Sequence, residues 1–306
     1  MMTTGRRILF KSFSSGSCGN CYFLGIEDDG AVSAGILIDA GVSVRRLRTL
    51  LPADGLSTDD FSAVLVTHDH MDHIHSLGGF WKYLHKTIWC TSVLRPSLCS
   101  GRYTLDSVHA DVRSLEEGWT EIVPGLVRVR WFEVPHDATQ TVGYAVDLDG
   151  YRVVIITDAG CMTEEALSEA SQAQTLVLEA NFDEEMLENG PYPRDLKDRI
   201  RGGHGHLGNT LCAEAVKSVW HPQMRHIYLC HLSENNNTPA LAWQAVAAAL
   251  QELGLSADRD GGFVFSGPDG GAGLSGADGG AGETVTVTMM PLPRRTPSPL
   301  FSLWTN

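Results

Sequence analysis

Thr67-His68-Asp69-His70-Met71-Asp72-His73 places four metal-ligating side chains, His68, His70, Asp72 and His73, within six residues. The run directly follows the apolar stretch Ala63-Val64-Leu65-Val66, so a buried strand is expected to end in a cluster of imidazoles and a carboxylate. Mixed nitrogen and oxygen ligands suit zinc, manganese or iron, whereas a structural zinc site favours thiolates. A polar loop holding chance histidines is the bland alternative, and the same pattern recurring elsewhere argues against it. Arg130–Pro135 leads into His136, Val153–Thr157 into Asp158, and Ile227–Cys230 into His231. Each run is short and rich in β-branched or aromatic residues, as expected of a buried strand. Four strands ending in a ligand imply a site built on one rim of a sheet, where a rigid scaffold aims side chains that stay open to substrate.

The count of ligands suggests two cations. His68, His70 and His136 are assigned to the first, Asp72, His73 and His231 to the second, and Asp158 to a bridge between them. Paired cations roughly 3.5–4 Å apart clamp both the attacking and the leaving oxygen of a hydrolysis, with a bridging hydroxide as nucleophile. Metal binding brings the pKa of such a water to about 7.

At 306 residues, 43% of them hydrophobic and 20% charged, the chain has the composition of an ordinary globular protein with room for a substantial core. Apolar runs are too short for a membrane span. The first residues lack the apolar centre of a signal peptide, and seven cysteines show no disulfide-framework spacing, so a reducing cytoplasm is the expected compartment. Cys18-Gly19-Asn20-Cys21 lies in a Ser/Gly turn rather than at a helix start and is not read as a redox motif. The net charge of −14 argues against passive coating of nucleic acid. It argues less against a nuclease, because two divalent cations put about +4 where phosphate must bind. Two basic runs stand out. Arg45, Arg46 and Arg48 read as a solvated helix face, and Arg194, Lys197, Arg199 and Arg201, interrupted by Asp195 and Asp198, read equally as an ordinary salt-bridged helix or as a grip on phosphates.

Residues 5–258 are expected to form one domain. Ser43 caps a helix running to Leu50, and Thr238-Pro239 opens an Ala-rich helix ending near Leu253. Residues 259–283 are dominated by Gly, Ala, Ser and Asp and are expected to form a flexible insertion. Residues 284–306 are read as a possible edge strand, Thr284–Thr288, and a loose Pro-rich tail.

The ligand order, with Ile38-Asp39-Ala40-Gly41 upstream, resembles the metallo-β-lactamase superfamily. That implies an α/β fold, the αββα sandwich, with Asp39 orienting the metal site from behind the ligands. Only 72 residues separate Asp158 from His231, too few for the nucleic-acid-clamping insertion of the RNA-processing branch. Leu178-Glu179-Ala180-Asn181 and Gly205-His206-Leu207-Gly208-Asn209 resemble the glutamate and histidine motifs of the phosphodiesterase side. The resemblance implies that His206, paired to Glu179, protonates the leaving oxygen, so that Asp72, His206 and Glu179 are the candidate catalytic groups. It extends over most of residues 8–255 to the YycJ/WalJ-type exonuclease branch, through Ser14–Cys21, Pro135–Ala138, Asn189–Pro193, Leu196–Ile200 and His231–Asn237. Phe182 and Gly208 depart from that pattern, where His and Ser are expected. The resemblance implies a 5′-to-3′ DNA exonuclease acting on duplex 5′ ends, with Arg194, Lys197, Arg199 and Asn209 as DNA contacts and two zinc or manganese ions. A small-molecule hydrolase (a thioesterase or cyclic-phosphate phosphodiesterase) is the first alternative, favoured by the acidic charge and opposed by the Glu179/His206 pair. A non-catalytic regulatory protein on the same fold is the second, opposed by the complete ligand set.

Overall fold

A computed structural model of the chain describes residues 5–100, 111–257, 264–268 and 284–305. Alternation of side chains along the strands builds two sheets. The first runs β1 (Arg7–Ser14), β2 (Cys21–Asp28), β3 (Ala31–Ile38), β4 (Ala63–Leu65), β5 (Thr87–Cys90) and β6 (Val112–Ser114). The second contains β7 (Thr120–Val123), β8 (Val127–Glu133), β9 (Val142–Leu148), β10 (Tyr151–Ile156), β11 (Thr175–Glu179) and β12 (His226–Cys230). It continues past β12 through β15 (Thr284–Pro291), β14 (Val264–Pro268) and β13 (Ser256–Ala257). β16 (Phe301–Thr305) pairs with β1 as an edge of the first sheet.

One residue set on each strand faces the other sheet, and the next faces helices. Ile8, Phe10, Tyr22, Leu24 and Ile36 meet Tyr144, Val153, Ile155 and Tyr228 in the core between the sheets. Leu9, Phe13, Phe23 and Leu37 pack outward on Val44, Leu47, Leu77 and Phe80 of two helices. On the far side Val154, Ile156, Leu176 and Leu178 pack on Ala166, Val216, Val246 and Leu250. Three stacked cores from period-two strands make an αββα sandwich.

The helix caps expected at Ser43 and Thr238 accept from Arg46 N and Leu241 N, both at 3.2 Å. The C-terminal third departs from expectation. Residues 264–268 form a strand inside the segment expected to be flexible, because Phe265 buries its ring in the second sheet's outer core. The remainder of that segment lies outside the described residues. Thr284–Pro291 is not an edge strand: it runs between β14 and β12, with Val285, Val287 and Met289 buried on alternate positions. Nor is the Pro-rich end loose. The carbonyl of Ser298 accepts from the buried Lys11 Nζ at 2.6 Å, and its hydroxyl accepts from Ser12 N at 3.0 Å. β16 then covers the open side of β1, so pairing at a sheet edge and burial of Leu303 hold a segment whose composition suggested a tail.

Candidate metal centre and active site

β3 and β4 run parallel, as do β10, β11 and β12, so their C-terminal ends open on one rim. Asp39 follows β3, His68–His73 follow β4, His136 follows β8, Asp158 follows β10, Glu179 ends β11 and His231 follows β12. Three of these have left-handed backbone: Asp39 at φ 64°, Asp158 at φ 55° and His231 at φ 53°. Such conformations cost roughly 1–3 kcal/mol each and persist where surrounding contacts enforce them. Here each re-aims a strand-end side chain into the shared volume.

All seven expected ligands converge. His68, His70 and His136 have ligand atoms within 4.8 Å of one another, as do Asp72, His73 and His231. Asp158 lies between the groups: its Oδ2 is 3.2 Å from His73 Nε2, and its Oδ1 is 3.2 Å from His231 Nδ1 and 3.8 Å from His136 Nε2. Asp39 touches no other candidate ligand than His73. Its Oδ2 lies 2.7 Å from His73 Nδ1, and its Oδ1 accepts from Thr67 N at 2.9 Å, which locks one imidazole and the start of the ligand loop. His136 is held through Nδ1 by the carbonyl of Gly205 at 2.7 Å.

Whether cations belong here is tested by the polar atoms left over. The Nε2 atoms of His68, His136 and His231 are buried without hydrogen-bond partners, a costly state that a cation would relieve. Burial and the charge of His73 hold His68 well below the ordinary imidazole range, so it is neutral as a ligand must be. Burial opposes ionisation of Asp158, yet the charges of His231 and His73 outweigh it and keep the carboxyl well below its usual range. Burial likewise opposes protonation of His231, but Asp158, Asp72 and Glu179 push it up to about 10. Four carboxylates, Asp39, Asp72, Asp158 and Glu179, thus converge on one small volume and demand positive charge. The donor set, nitrogen and oxygen with no thiolate, fits divalent cations.

Behind the ligands lies a second constellation. Glu179 is fully buried and spends both oxygens: Oε1 is 2.8 Å from His206 Nδ1 and 2.9 Å from His231 Nδ1, while Oε2 accepts from Ala159 N and Leu207 N at 2.9 and 3.1 Å. It therefore cannot touch substrate, and the expectation that it is a catalytic group is corrected to a positioning role for two histidines. His206 keeps part of its ring on the cleft, with Nδ1 committed to Glu179 and Nε2 left for the open side. That cleft, of about 280 Å³, is lined by His70, Asp72, His136, Asp158, His206 and His231 on one side. Tyr192, Leu196 and Ile200 form an apolar opposite wall, with Arg199 beside them.

The basic run divides. It forms the helix Arg194–Arg201, but Arg199 alone of its cations lines the cleft, paired to Asp137. Arg194 points outward beside Asp198, Lys197 donates to the carbonyl of Glu188, and Arg201 is paired with Glu188 and Asp198. Asn209 is buried in a reciprocal amide pair with Asn237, at 3.0 and 2.8 Å, and has no face for DNA. The helix it begins offers no free N-terminal amide for phosphate at Thr210, whose N–H already donates to Glu184 Oε1 at 3.1 Å. Phe182 and Gly208, the two departures from the resemblance, face each other: a β-carbon at Gly208 would lie 2.8 Å from the Phe182 ring. The aromatic ring occupies the space that a serine side chain would need.

Some working residues had no expectation attached. Asn20 places its amide nitrogen 2.8 Å from His73 Nε2, and Ser15 Oγ accepts from His231 N at 2.9 Å. Asp69, between two ligands, accepts from Thr139 N at 3.2 Å and from Ser97, pinning the ligand loop to its neighbours. Only spacing to distant partners would have revealed them. Gly41 shows why the Asp-x-Gly element ends as it does: a β-carbon there would lie 1.8 Å from the Asp72 carbonyl and 2.4 Å from Asn20 N. Gly41→Ala is expected to destabilise the fold by about 1–3 kcal/mol through this overpacking and to lower metal content. Denaturant titration and elemental analysis check both, and a wild-type metal content at normal stability would overturn it.

An αββα sandwich with a histidine- and aspartate-rich cation site on one rim defines a metal-dependent hydrolase. The model of the beta-lactamase superfamily domain matches residues 35–232, and the chain belongs to that superfamily, in the branch of the YycJ and WalJ proteins. It is 31% identical over 245 residues to the exodeoxyribonuclease YycJ of Bacillus anthracis, covering 80% of this chain and 90% of that protein. To the exodeoxyribonuclease WalJ of Streptococcus pneumoniae it is 29% identical over 251 residues, covering 82% of this chain and 91% of that one. The solved structure of Zn²⁺-bound PqqB from Methylobacterium extorquens shares the fold at a TM-score of 0.58 and 18% identity, covering 80% of this chain and 94% of that chain. Among the described residues no helix is long and apolar enough to cross a membrane.

Proposed function

We propose that this chain is a metal-dependent exodeoxyribonuclease that hydrolyses phosphodiesters from duplex 5′ ends. The observation that carries this reading is the Glu179–His206 pair, 2.8 Å apart, set beside the ligand cluster on an open cleft. Splitting a phosphodiester creates an alkoxide that needs a proton, a demand that a histidine oriented by a carboxylate meets. The named relatives, matched over nine-tenths of their length, support DNA as substrate.

His68, His70 and His136 would hold one divalent cation and Asp72, His73 and His231 another, with Asp158 shared, zinc or manganese suiting both. Bound there, the cations supply charge neutralisation at the phosphoryl oxygens and activation of water at neutral pH. The chain's own residues do the rest. Glu179 fixes His206 through Nδ1, so the proton for the leaving oxygen is carried on Nε2 toward the cleft. Burial opposes charge on His206, but Glu179 and Asp158 outweigh it and raise its pKa above the ordinary imidazole value, which keeps that proton available near neutrality. Tyr192, Leu196 and Ile200 give that cleft apolar surface beside the ligand cluster. Arg199, held at the rim by Asp137, is placed to exchange that partner for a backbone phosphate.

The test is degradation of duplexes labelled at either 5′ or 3′ end by metal-loaded protein, with the 5′ label released first. A preparation that leaves DNA intact yet hydrolyses a thioester or cyclic phosphate would sink the reading. Arg199→Ala is expected to lower the salt slope of DNA binding by about one, the loss of one phosphate contact, and an unchanged slope would remove Arg199 from the interface.

A further inference from the structure

The chain carries a net charge of −14, yet two segments contain none of its 37 acidic residues. Residues 40–53 hold Arg45, Arg46 and Arg48, and residues 73–100 hold Lys82, Lys86 and Arg95. They meet in space. The helix Val44–Leu50 lies against the helix Leu77–Leu84, with Gly79 admitting the side chain of Val44, whose Cγ2 would be 3.2 Å from a β-carbon there. Between them runs a groove of about 700 Å³, lined by Arg45, Arg48, Thr49, His75, Ser76 and Tyr83. No carboxylate lines it among the described residues. Arg45, Arg48 and Lys82 have no acidic partner within salt-bridge distance among those residues, in contrast to Arg194, Arg199 and Arg201 on the helix beside the cleft. Arg46 and Lys86 are turned elsewhere, the first to the carbonyl of Arg295 and the second to the ring of Phe61 near Asp59 and Asp60.

The groove shares no lining residue with the active-site cleft but starts close to it along the chain. Asp72 lines the cleft, while His75 and Ser76, about one helical turn further on, line the groove. Arg45 and Arg48 are also one turn apart on a single exposed face, about 5–6 Å between β-carbons, so two guanidinium groups can take neighbouring phosphates of one strand. The hydroxyls here are already engaged, Thr49 Oγ1 donating to the carbonyl of Arg45 at 3.1 Å and Ser76 Oγ pairing with His75 Nδ1 at 2.8 Å, so the guanidinium groups are the phosphate donors. Tyr83 is 59% exposed, with Lys82 Nζ 5.5 Å from its ring centroid, and offers a face for a base or sugar.

From this juxtaposition we infer that the groove between residues 44–50 and 77–84 is a second DNA-binding site, gripping the backbone of substrate beyond the cleft. A run of arginines that the sequence presents as a plain solvated face thereby becomes the track that an acidic protein needs to hold a polyanion. The inference rests on the reading of DNA as substrate, and the experiment separates the two. Binding of a fluorescent duplex is measured in EDTA against salt, and cleavage of the same duplex and of bis(p-nitrophenyl) phosphate is measured with metal. Arg45→Ala/Arg48→Ala is expected to lower the salt slope of binding by about two and to raise KM on duplex DNA, with hydrolysis of the small ester unchanged. Lys217→Ala/Arg113→Ala, which changes net charge equally, is expected to do neither. A wild-type salt slope in the arginine variant, or equal losses in both double variants, overturns the groove, as does retention on anionic-lipid vesicles without retention on DNA. If wild-type protein binds DNA through the groove but does not cleave it, the groove stands and the exonuclease reading fails.

Discussion

Replacing His206 by alanine is expected to lower kcat on DNA by about 10²–10⁴-fold, the usual worth of a general acid, while metal content stays at the wild-type level. Geometry separates the two effects. His206 binds Glu179 at 2.8 Å through Nδ1 and is outside both ligand triads, so its loss leaves His68, His70, His136, Asp72, His73 and His231 in place. Glu179 retains His231 Nδ1 at 2.9 Å and its two backbone donors, so the buried carboxylate is not stranded. The deficit should shrink on nitrophenyl phosphodiesters, whose leaving groups depart without protonation. Equal losses on both substrate types would assign His206 to binding or structure. Glu179→Gln offers a contrast, because it loosens His206 and His231 together and should lower both kcat and metal retention.

Asp158→Ala is expected to release more than one cation per chain, reducing a content near two to below one. The carboxylate reaches both ligand groups, lying 3.2 Å from His73 and His231 and 3.8 Å from His136. Removing it strips the one anionic donor shared by both sites, leaving three imidazoles at the first and two imidazoles with Asp72 at the second, and affinity falls for both. Alanine at φ 55° also adds backbone strain, so Asp158→Asn, which tolerates left-handed backbone, serves as the second variant and should show the same loss of metal at near-normal stability. Elemental analysis on zinc- and manganese-supplemented preparations reads the result. A wild-type content of no more than one tightly held cation would remove the bridge.

How much of this was legible in the chain follows from the range of each interaction. The ligands announced themselves because each follows an apolar run, and apolar runs become strands through a local period that one segment shows by itself. The helix caps at Ser43 and Thr238 were legible for the same reason, since a cap needs only its next three residues. Charge runs take their meaning from what they fold against. Arg194–Arg201 read equally as a phosphate grip or a salt-bridged helix, and its folding beside Glu188 and Asp137 neutralised most of it. Arg45 and Arg48 looked idle, and packing against a helix thirty residues away gave them a groove.

What the amino-acid order determined alone was therefore the identity of the chemistry: which side chains end strands, where the helices capped by Ser43 and Thr238 begin, and that the donors are nitrogen and oxygen. Tertiary structure decided which of those donors meet, and how they are held. It turned Glu179 inward, where its oxygens serve two histidines and two amides, and buried Asn209 against Asn237. It also drew the Pro-rich end back across β1, where Ser298 holds Lys11 and Ser12. These outcomes depend on partners dozens to hundreds of residues distant, and no local pattern encodes a contact whose two halves are specified in different strands. The left-handed backbone at Asp39, Asp158 and His231 belongs with them, because only the finished rim of the two sheets makes that strain worth keeping.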